Sequence, residues 1–305
     1  MNLPQLERMR SGKGFIAALD QSGGSTPKAL ALYGIPNSDY HNELEMFDRV
    51  HEMRTRIITN PAFNSQRILG AILFEKTMDR NIHGVGSTEY LWEKKGIISF
   101  LKVDSGLATG SFGAQQMKPI LEFTSRLESA RSHSIFGTKM RSVIKSASKN
   151  GIRHIVQQQF DLAKMILNSD LIPIVEPEVD INSSEKGQCE ILLKRELLDA
   201  LEALNVDQNV ILKLTLPNVA NFYEALVNHP RVIRVLGLSG GYTRLEANSL
   251  LATNTGMIAS FSRALTEGLS INQSEDQFTS ILDSSIQSIF DASTIKNYSI
   301  PGLVA

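Results

Sequence analysis

The chain has 305 residues, 42% of them hydrophobic and 21% charged, with a formal net charge of −1. That is ordinary globular composition with enough apolar mass for a sizeable core, and it creates no global field for nucleic acid or an anionic membrane, so any anion must be recognised locally. The one cysteine, Cys189, excludes an internal disulfide, the start MNLPQLERMRSGKG lacks the apolar stretch of a signal peptide, and no run approaches the roughly 20 apolar residues of a membrane span; the expectation is a soluble, cytoplasmic protein with no nucleic-acid or membrane partner.

In chain order, the first strand signal is FIAALD (15–20), followed by a helical stripe of Leu44, Phe47, Val50, Met53 and Ile57. The strand signals ILGAILF (68–74), SFLKVD (99–104) and FGTKMR (136–141) come next, then a stripe of Val156, Phe160, Ala163 and Leu167. LIPIVEPEV (171–179) and NVILKLT (209–215) precede a third stripe, Val219, Phe222, Tyr223 and Leu226. VIRVLGLSG (232–240) and MIASFSR (257–263) lead to a last stripe of Leu282, Ile286, Ile289 and Phe290. The strand runs are continuously hydrophobic, which suits strands covered on both faces in a parallel sheet. Strand–helix alternation repeated eight times predicts a single (β/α)8 TIM barrel over residues 1–305, with a short N-terminal lead and a C-terminal tail from about residue 294. No G-x-G-x-x-G follows the first strand, which argues against a dinucleotide-binding open sheet.

Several of these strands carry a charge where an apolar residue is expected. Lys213 sits in ILKLT, Lys102 in SFLKVD, Lys139 and Arg141 in FGTKMR, Glu176 in PIVEPEV, and Asp20 closes FIAALD. Side chains alternate along a strand, so if Leu212 and Leu214 face the outer helices, Lys213 points into the barrel. The same alternation turns Lys102, Asp104, Glu176, Glu178 and Asp20 inward, toward the C-terminal strand ends where barrel enzymes place their chemistry. Any one of them can snorkel to solvent. As a set they would be a poor way to gain stability, because buried charges cost desolvation energy. A lysine near another cation in a low-dielectric site loses its proton more readily, and its free amine can form a Schiff base with a carbonyl. Lys213, flanked by apolar residues, is the best nucleophile candidate, with Lys139 as the neighbouring charge and Glu176 and Asp20 able to move protons.

Two glycine turns read as anion sites. LSGGYTRLEA (238–247) is a strand end, a Ser-Gly-Gly turn and a helix start, and the next strand brings Arg263 beside it. DQSGGST (20–26) follows the first strand in the same style and offers Ser22 and Ser25, with Lys102 and Arg141 as nearby charge, while Thr26-Pro27 reads as a helix cap and first turn. Two anion sites flanking a reactive lysine suggest a substrate with a phosphate at each end and a carbonyl between.

Taken together, AALDQSGGSTPKAL, FLKVD, FGTKMRS, IVEPEV, LKLT, LSGGY and SFSRAL, in that order from about Gly12 to Ser293, resemble the class I fructose-1,6-bisphosphate aldolases, especially their shorter bacterial branch. The resemblance implies reversible cleavage of fructose-1,6-bisphosphate to dihydroxyacetone phosphate and glyceraldehyde 3-phosphate in glycolysis and gluconeogenesis. It implies that Lys213 is the Schiff-base lysine and Glu176 the proton shuttle of imine formation. It implies that Asp20 takes the C4-hydroxyl proton and that Lys139 contacts the reacting hydroxyls. Ser239, Gly240 and Arg263 match the dihydroxyacetone-side phosphate site; Ser22, Ser25, Lys102 and Arg141 match the opposite phosphate region. The chain departs from the animal pattern at Gln21, where a glutamate is usual, and at Ser262, where a glycine is usual; the functional C-terminal tyrosine of animal enzymes is not carried over to Tyr298. The implied partners are phosphorylated ketose and triose substrates, with a homo-oligomer left open.

No cofactor or metal is expected, since His41, His51, His83, His133, His154 and His229 show no close zinc-ligand pairing. Other readings are another Schiff-base barrel, of transaldolase or dehydratase type, and a non-catalytic sugar-phosphate binder.

Overall fold

The structure, a computed structural model, describes residues 2–22, 24 and 26–296. Ser25 and Tyr298 therefore lie outside the described residues. Eight strands form the barrel: β1 Phe15–Leu19, β2 Ile68–Leu73, β3 Ile98–Lys102, β4 Gly137–Ile144, β5 Ile172–Val179, β6 Val210–Thr215, β7 Val232–Leu238 and β8 Met257–Ala259. Each runs parallel to the next. The ring is drawn together by the Ala18 N–H, which donates to the Phe261 carbonyl at 3.0 Å. All eight strand signals became strands, and the fold is the (β/α)8 barrel. The last strand is the shortest: it ends at Ala259, and of the SFSR that completes the predicted run, the Ser260 N–H still donates to the Gly237 carbonyl of β7 and the Phe261 carbonyl accepts from Ala18.

The alternation of side chains divides the core in two. Ile16, Ala18, Phe100, Ile174 and Ile211 pack with one another inside the barrel. Leu19, Leu101, Val175, Leu212 and Leu214 pack outward against the helices. Burial on both faces is why these strands read as unbroken apolar runs.

Helices start where capping side chains sit. Asn42 accepts from the Glu45 N–H to open Glu43–Thr59, Ser148 caps Lys149–Asn168, and Ser274 with Gln277 forms a capping box at Glu275–Thr294. The stripe at Val219–Leu226 is an exception. Only Glu224–Val227 is helical, and Val219 is exposed; Leu226 is buried from this short helix and Tyr223 from the residue just before it.

The N-terminal lead is a helix, Leu3–Ser11, whose Met9 is buried within the inner cluster. Arg234 of β7 donates to the carbonyls of Met9, Arg10 and Gly12 at 2.9, 2.6 and 3.2 Å. These are carbonyls at the end of the helix that lack a complete intrahelical set of partners. The helix and Arg234 thus close the N-terminal end of the barrel and leave the C-terminal end as the open one.

Candidate active site

The open end is a cavity of about 830 Å³. Its floor is the inner apolar layer, and the charges sit one alternation higher: Asp20 above Ala18, Lys102 above Phe100, Glu176 above Ile174, Lys213 above Ile211. Register aligns them across strands, with Lys102 opposite Lys139 and Arg141 opposite Glu176.

Four of these side chains form one continuous chain of ion pairs. Lys213 Nζ lies 3.0 Å from Glu176 Oε1; Glu176 Oε2 lies 2.6 Å from Lys139 Nζ; Lys139 Nζ lies 3.0 Å from Asp20 Oδ2. All four residues are buried, between 3% and 7% exposed. Burial alone would lower Lys139, but Asp20, Glu176 and Asp104 outweigh it and hold the ammonium well above the ordinary lysine range. Burial alone would raise Asp20, but Lys139, Lys213 and Lys102 together hold its carboxyl well below the usual carboxylate range. At neutral pH the centre of the chain is a fixed cation beside a fixed anion.

The backbone around Lys213 and Glu176 is held by side chains the sequence did not single out. Pro173 and Pro177 remove two ladder donors from β5. The Glu176 N–H donates instead to Gln159 Oε1 at 2.8 Å, from the Lys149–Asn168 helix. β5 and β6 are registered at Ile174–Ile211 and Val175–Leu212. Above that, Thr215 Oγ1 accepts from the Val179 N–H at 2.9 Å and donates to the Val179 carbonyl at 2.7 Å. A polar residue closing an apolar strand was a visible signal for Thr215; nothing local distinguished Gln159 from the rest of its helix.

Of the phosphate candidates, Ser22, Lys102, Arg141, Ser239, Gly240 and Arg263 all line the cavity. Gly240 and Gly241 take φ of +58° and +131°, which a side chain would resist. The Arg263 guanidinium reaches within 3.6 Å of where a Cβ on Gly241 would lie, so the turn after β7 and the segment after β8 meet. The helix after the turn, Arg244–Ala252, does not supply the expected free N-terminus. Its capping box uses the Thr243 and Glu246 N–H groups, and the Arg244 N–H donates to Glu267. Any anion is left with the turn itself, Arg263, and the hydroxyls of Ser260 and Ser262, which lack partners among the described residues.

Across the mouth, the cations are already engaged. Lys102 Nζ lies 2.8 Å from Asp104 Oδ1, and Arg141 Nε lies 2.8 Å from Glu178 Oε2. Burial raises Glu178 above the ordinary glutamate value, with Arg141 opposing and nearby Glu176 reinforcing the rise. Thr26 is the first residue of the Thr26–Tyr33 helix rather than its cap. Among the described residues, no three His, Cys, Asp or Glu side chains are arranged to hold a metal, and no helix is long and apolar enough to cross a membrane. Cys189 is a buried free thiol away from this cavity.

Comparison with known proteins agrees with the barrel fold. A fructose-bisphosphate aldolase from Plasmodium falciparum, solved in complex with TRAP and a small-molecule inhibitor, superposes with a TM-score of 0.73 at 19% identity, covering 97% of this chain and 95% of that one. Cgl0159 from Corynebacterium glutamicum superposes with a TM-score of 0.55 at 14% identity, covering 95% and 91%. Identities this low speak for the barrel fold. The sequence model of the family described as fructose-bisphosphate aldolase class-I matches residues 6–223, more than two-thirds of the 305. The chain belongs to the class-I fructose-bisphosphate aldolase family, and its family activity is that of an aldolase.

Proposed function

We propose that this aldolase is a Schiff-base, metal-independent lyase that reversibly cleaves fructose-1,6-bisphosphate to dihydroxyacetone phosphate and glyceraldehyde 3-phosphate, in glycolysis and gluconeogenesis. The observation that carries the reading is the buried chain Lys213–Glu176–Lys139–Asp20 at the mouth, with the Ser239–Gly241 turn and Arg263 to one side.

Each member then has work suited to its neighbours. Glu176 Oε1 takes a proton from Lys213 across 3.0 Å, which frees the amine to attack the C2 ketone. The resulting carbinolamine loses its hydroxyl as water with a proton returned from Glu176. Asp20, held as a carboxylate, takes the C4-hydroxyl proton. The C3–C4 bond breaks, its electron pair passes into the iminium to form an enamine, and the aldehyde product leaves. Protonation of the enamine at C3 and hydrolysis of the imine release the ketose phosphate and regenerate Lys213. Lys139, fixed as a cation between Asp20 and Glu176, orients the reacting hydroxyls and keeps the two carboxylates from repelling each other. Ser239, Gly240 and Arg263 hold the dihydroxyacetone-side phosphate. Ser22, Lys102 and Arg141 serve the opposite phosphate, so Lys102 and Arg141 share themselves between substrate and their carboxylates. A cytoplasmic setting fits the unpaired buried thiol of Cys189.

A coupled assay on fructose-1,6-bisphosphate, with and without chelator, tests the proposal. Turnover that survives chelation and is lost in Lys213→Met supports it. Activity that disappears on chelation, or that persists in Lys213→Met, removes it.

A further inference from the structure

Arg54 is a buried charged side chain that, among the described residues, hydrogen-bonds no carboxylate. It sits on the Glu43–Thr59 helix, 1% exposed. Its guanidinium donates to Thr77 Oγ1 at 2.6 Å and to the Gln21 carbonyl at 2.5 Å, and its Nε has no partner among the described residues. Burial draws its pKa down to about 10 with the Asp20 charge opposing the fall, so it remains a cation at neutral pH. Burying a guanidinium against neutral acceptors is unfavourable for folding, and an apolar residue of similar volume would usually serve stability better. Its place in the fold supplies another reason for it.

Gln21 directly follows Asp20. β1 ends at Leu19, so the sheet ladder does not fix the segment from Asp20 to Ser22. Thr77 belongs to Glu75–Met78, the short helix that follows β2. Arg54 therefore ties the exit of β1 to the exit of β2 from behind the cavity, one peptide away from the carboxylate that faces Lys139. A planar fork with fixed donor directions suits this task, since it can bridge two acceptors at a defined angle.

We propose that Arg54 is a positioning residue: it pins the Asp20–Gln21 turn to the loop after β2 and so holds the Asp20 carboxylate in register with Lys139 for carbon–carbon bond cleavage. The inference rests on the Schiff-base reading above. Its consequence is a separation of steps. Asp20 acts when the C3–C4 bond breaks, not when Lys213 captures a ketone. Loss of Arg54 therefore impairs cleavage and spares imine formation, a split that general destabilisation does not produce.

Two variants test it. Arg54→Met keeps length and removes the donors; Thr77→Val removes one acceptor with little change in volume and serves if the first does not fold. Each is compared with the wild type for cleavage of fructose-1,6-bisphosphate and for borohydride trapping by dihydroxyacetone phosphate. The expected result is a fall of about 100-fold in cleavage kcat for Arg54→Met and about 10-fold for Thr77→Val, with trapping rates within about threefold of wild type. Cleavage within about threefold of wild type, or cleavage and trapping falling in parallel, overturns the positioning role alone. A wild-type enzyme that is not trapped at all overturns the Schiff-base reading and this inference with it.

Discussion

Lys139→Met removes the cation that touches both carboxylates, 3.0 Å from Asp20 and 2.6 Å from Glu176. Breaking a buried ion pair by deleting one partner costs about 3–5 kcal/mol, because the other charge is left uncompensated. At roughly 2.1 cal/mol/K per residue, a 305-residue chain has an unfolding entropy near 0.6 kcal/mol/K, so the loss corresponds to about 5–8 °C in Tm at neutral pH. The pH dependence carries the sign. In the wild type Asp20 is held below the ordinary range, so its contribution is present above its unfolded pKa of about 3.9 and is lost as pH falls through the lower folded value. Without Lys139, burial acts on Asp20 with less opposition, and the folded value moves upward. To that extent the penalty is full at neutral pH and is relieved as pH falls toward about 4. Thermal denaturation of both proteins at about pH 7.5 and about pH 4.5 reads this directly, with the Tm difference shrinking by about half at the lower pH. A difference under about 1 °C at the higher pH, or an equal difference at both, would refute Lys139 as the neutralising centre of the site.

Three other perturbations separate grip, turn and scaffold. Arg263→Ala should raise KM for fructose-1,6-bisphosphate about 10- to 100-fold with kcat changed by about threefold or less, as for a lost charge-assisted phosphate contact; an unchanged KM would detach Arg263 from the substrate. Gly240→Ala places a methyl 2.8 Å from Ile181 Cγ2 at a φ of +58°, so kcat/KM should fall about tenfold while Tm drops by only about 2 °C; wild-type kinetics would show that this turn does not hold a phosphate. Arg234→Ala opens the floor of the barrel and should cost about 2–4 kcal/mol, or about 3–6 °C in Tm, with kcat/KM within about twofold of wild type; a stable variant with poor activity would reverse that division between floor and mouth.

The eight strands were legible because a strand buried on both faces leaves an uninterrupted apolar run, and a charge inside such a run is conspicuous. Lys213 and Glu176 stood out for that reason, and period-two alternation assigned them to the inside. What alternation does not contain is distance between strands. The chain of contacts from Lys213 to Asp20 joins β6, β5, β4 and the end of β1, and only the closed barrel brings those together. The stripe at Val219–Leu226 failed at its start because apolar residues at helical spacing can also be buried outside a helix, as Tyr223 is just before Glu224–Val227. The helix after the Ser-Gly-Gly turn looked like an anion-binding terminus, but Thr243 and Glu246 satisfy one another there. Arg54 lay four residues beyond Val50 on a buried helical face, a position whose polarity was a signal, but its acceptors are set by loops far away in sequence.

The central claim is that Lys213 bonds covalently to the substrate ketone. Borohydride reduction in the presence of dihydroxyacetone phosphate, followed by peptide mass spectrometry, tests it at a single residue. The account predicts irreversible inactivation with one triose-phosphate adduct on the peptide carrying Lys213, and no adduct in Lys213→Met. A modification on Lys139 or Lys102 instead, or full activity after reduction, contradicts it.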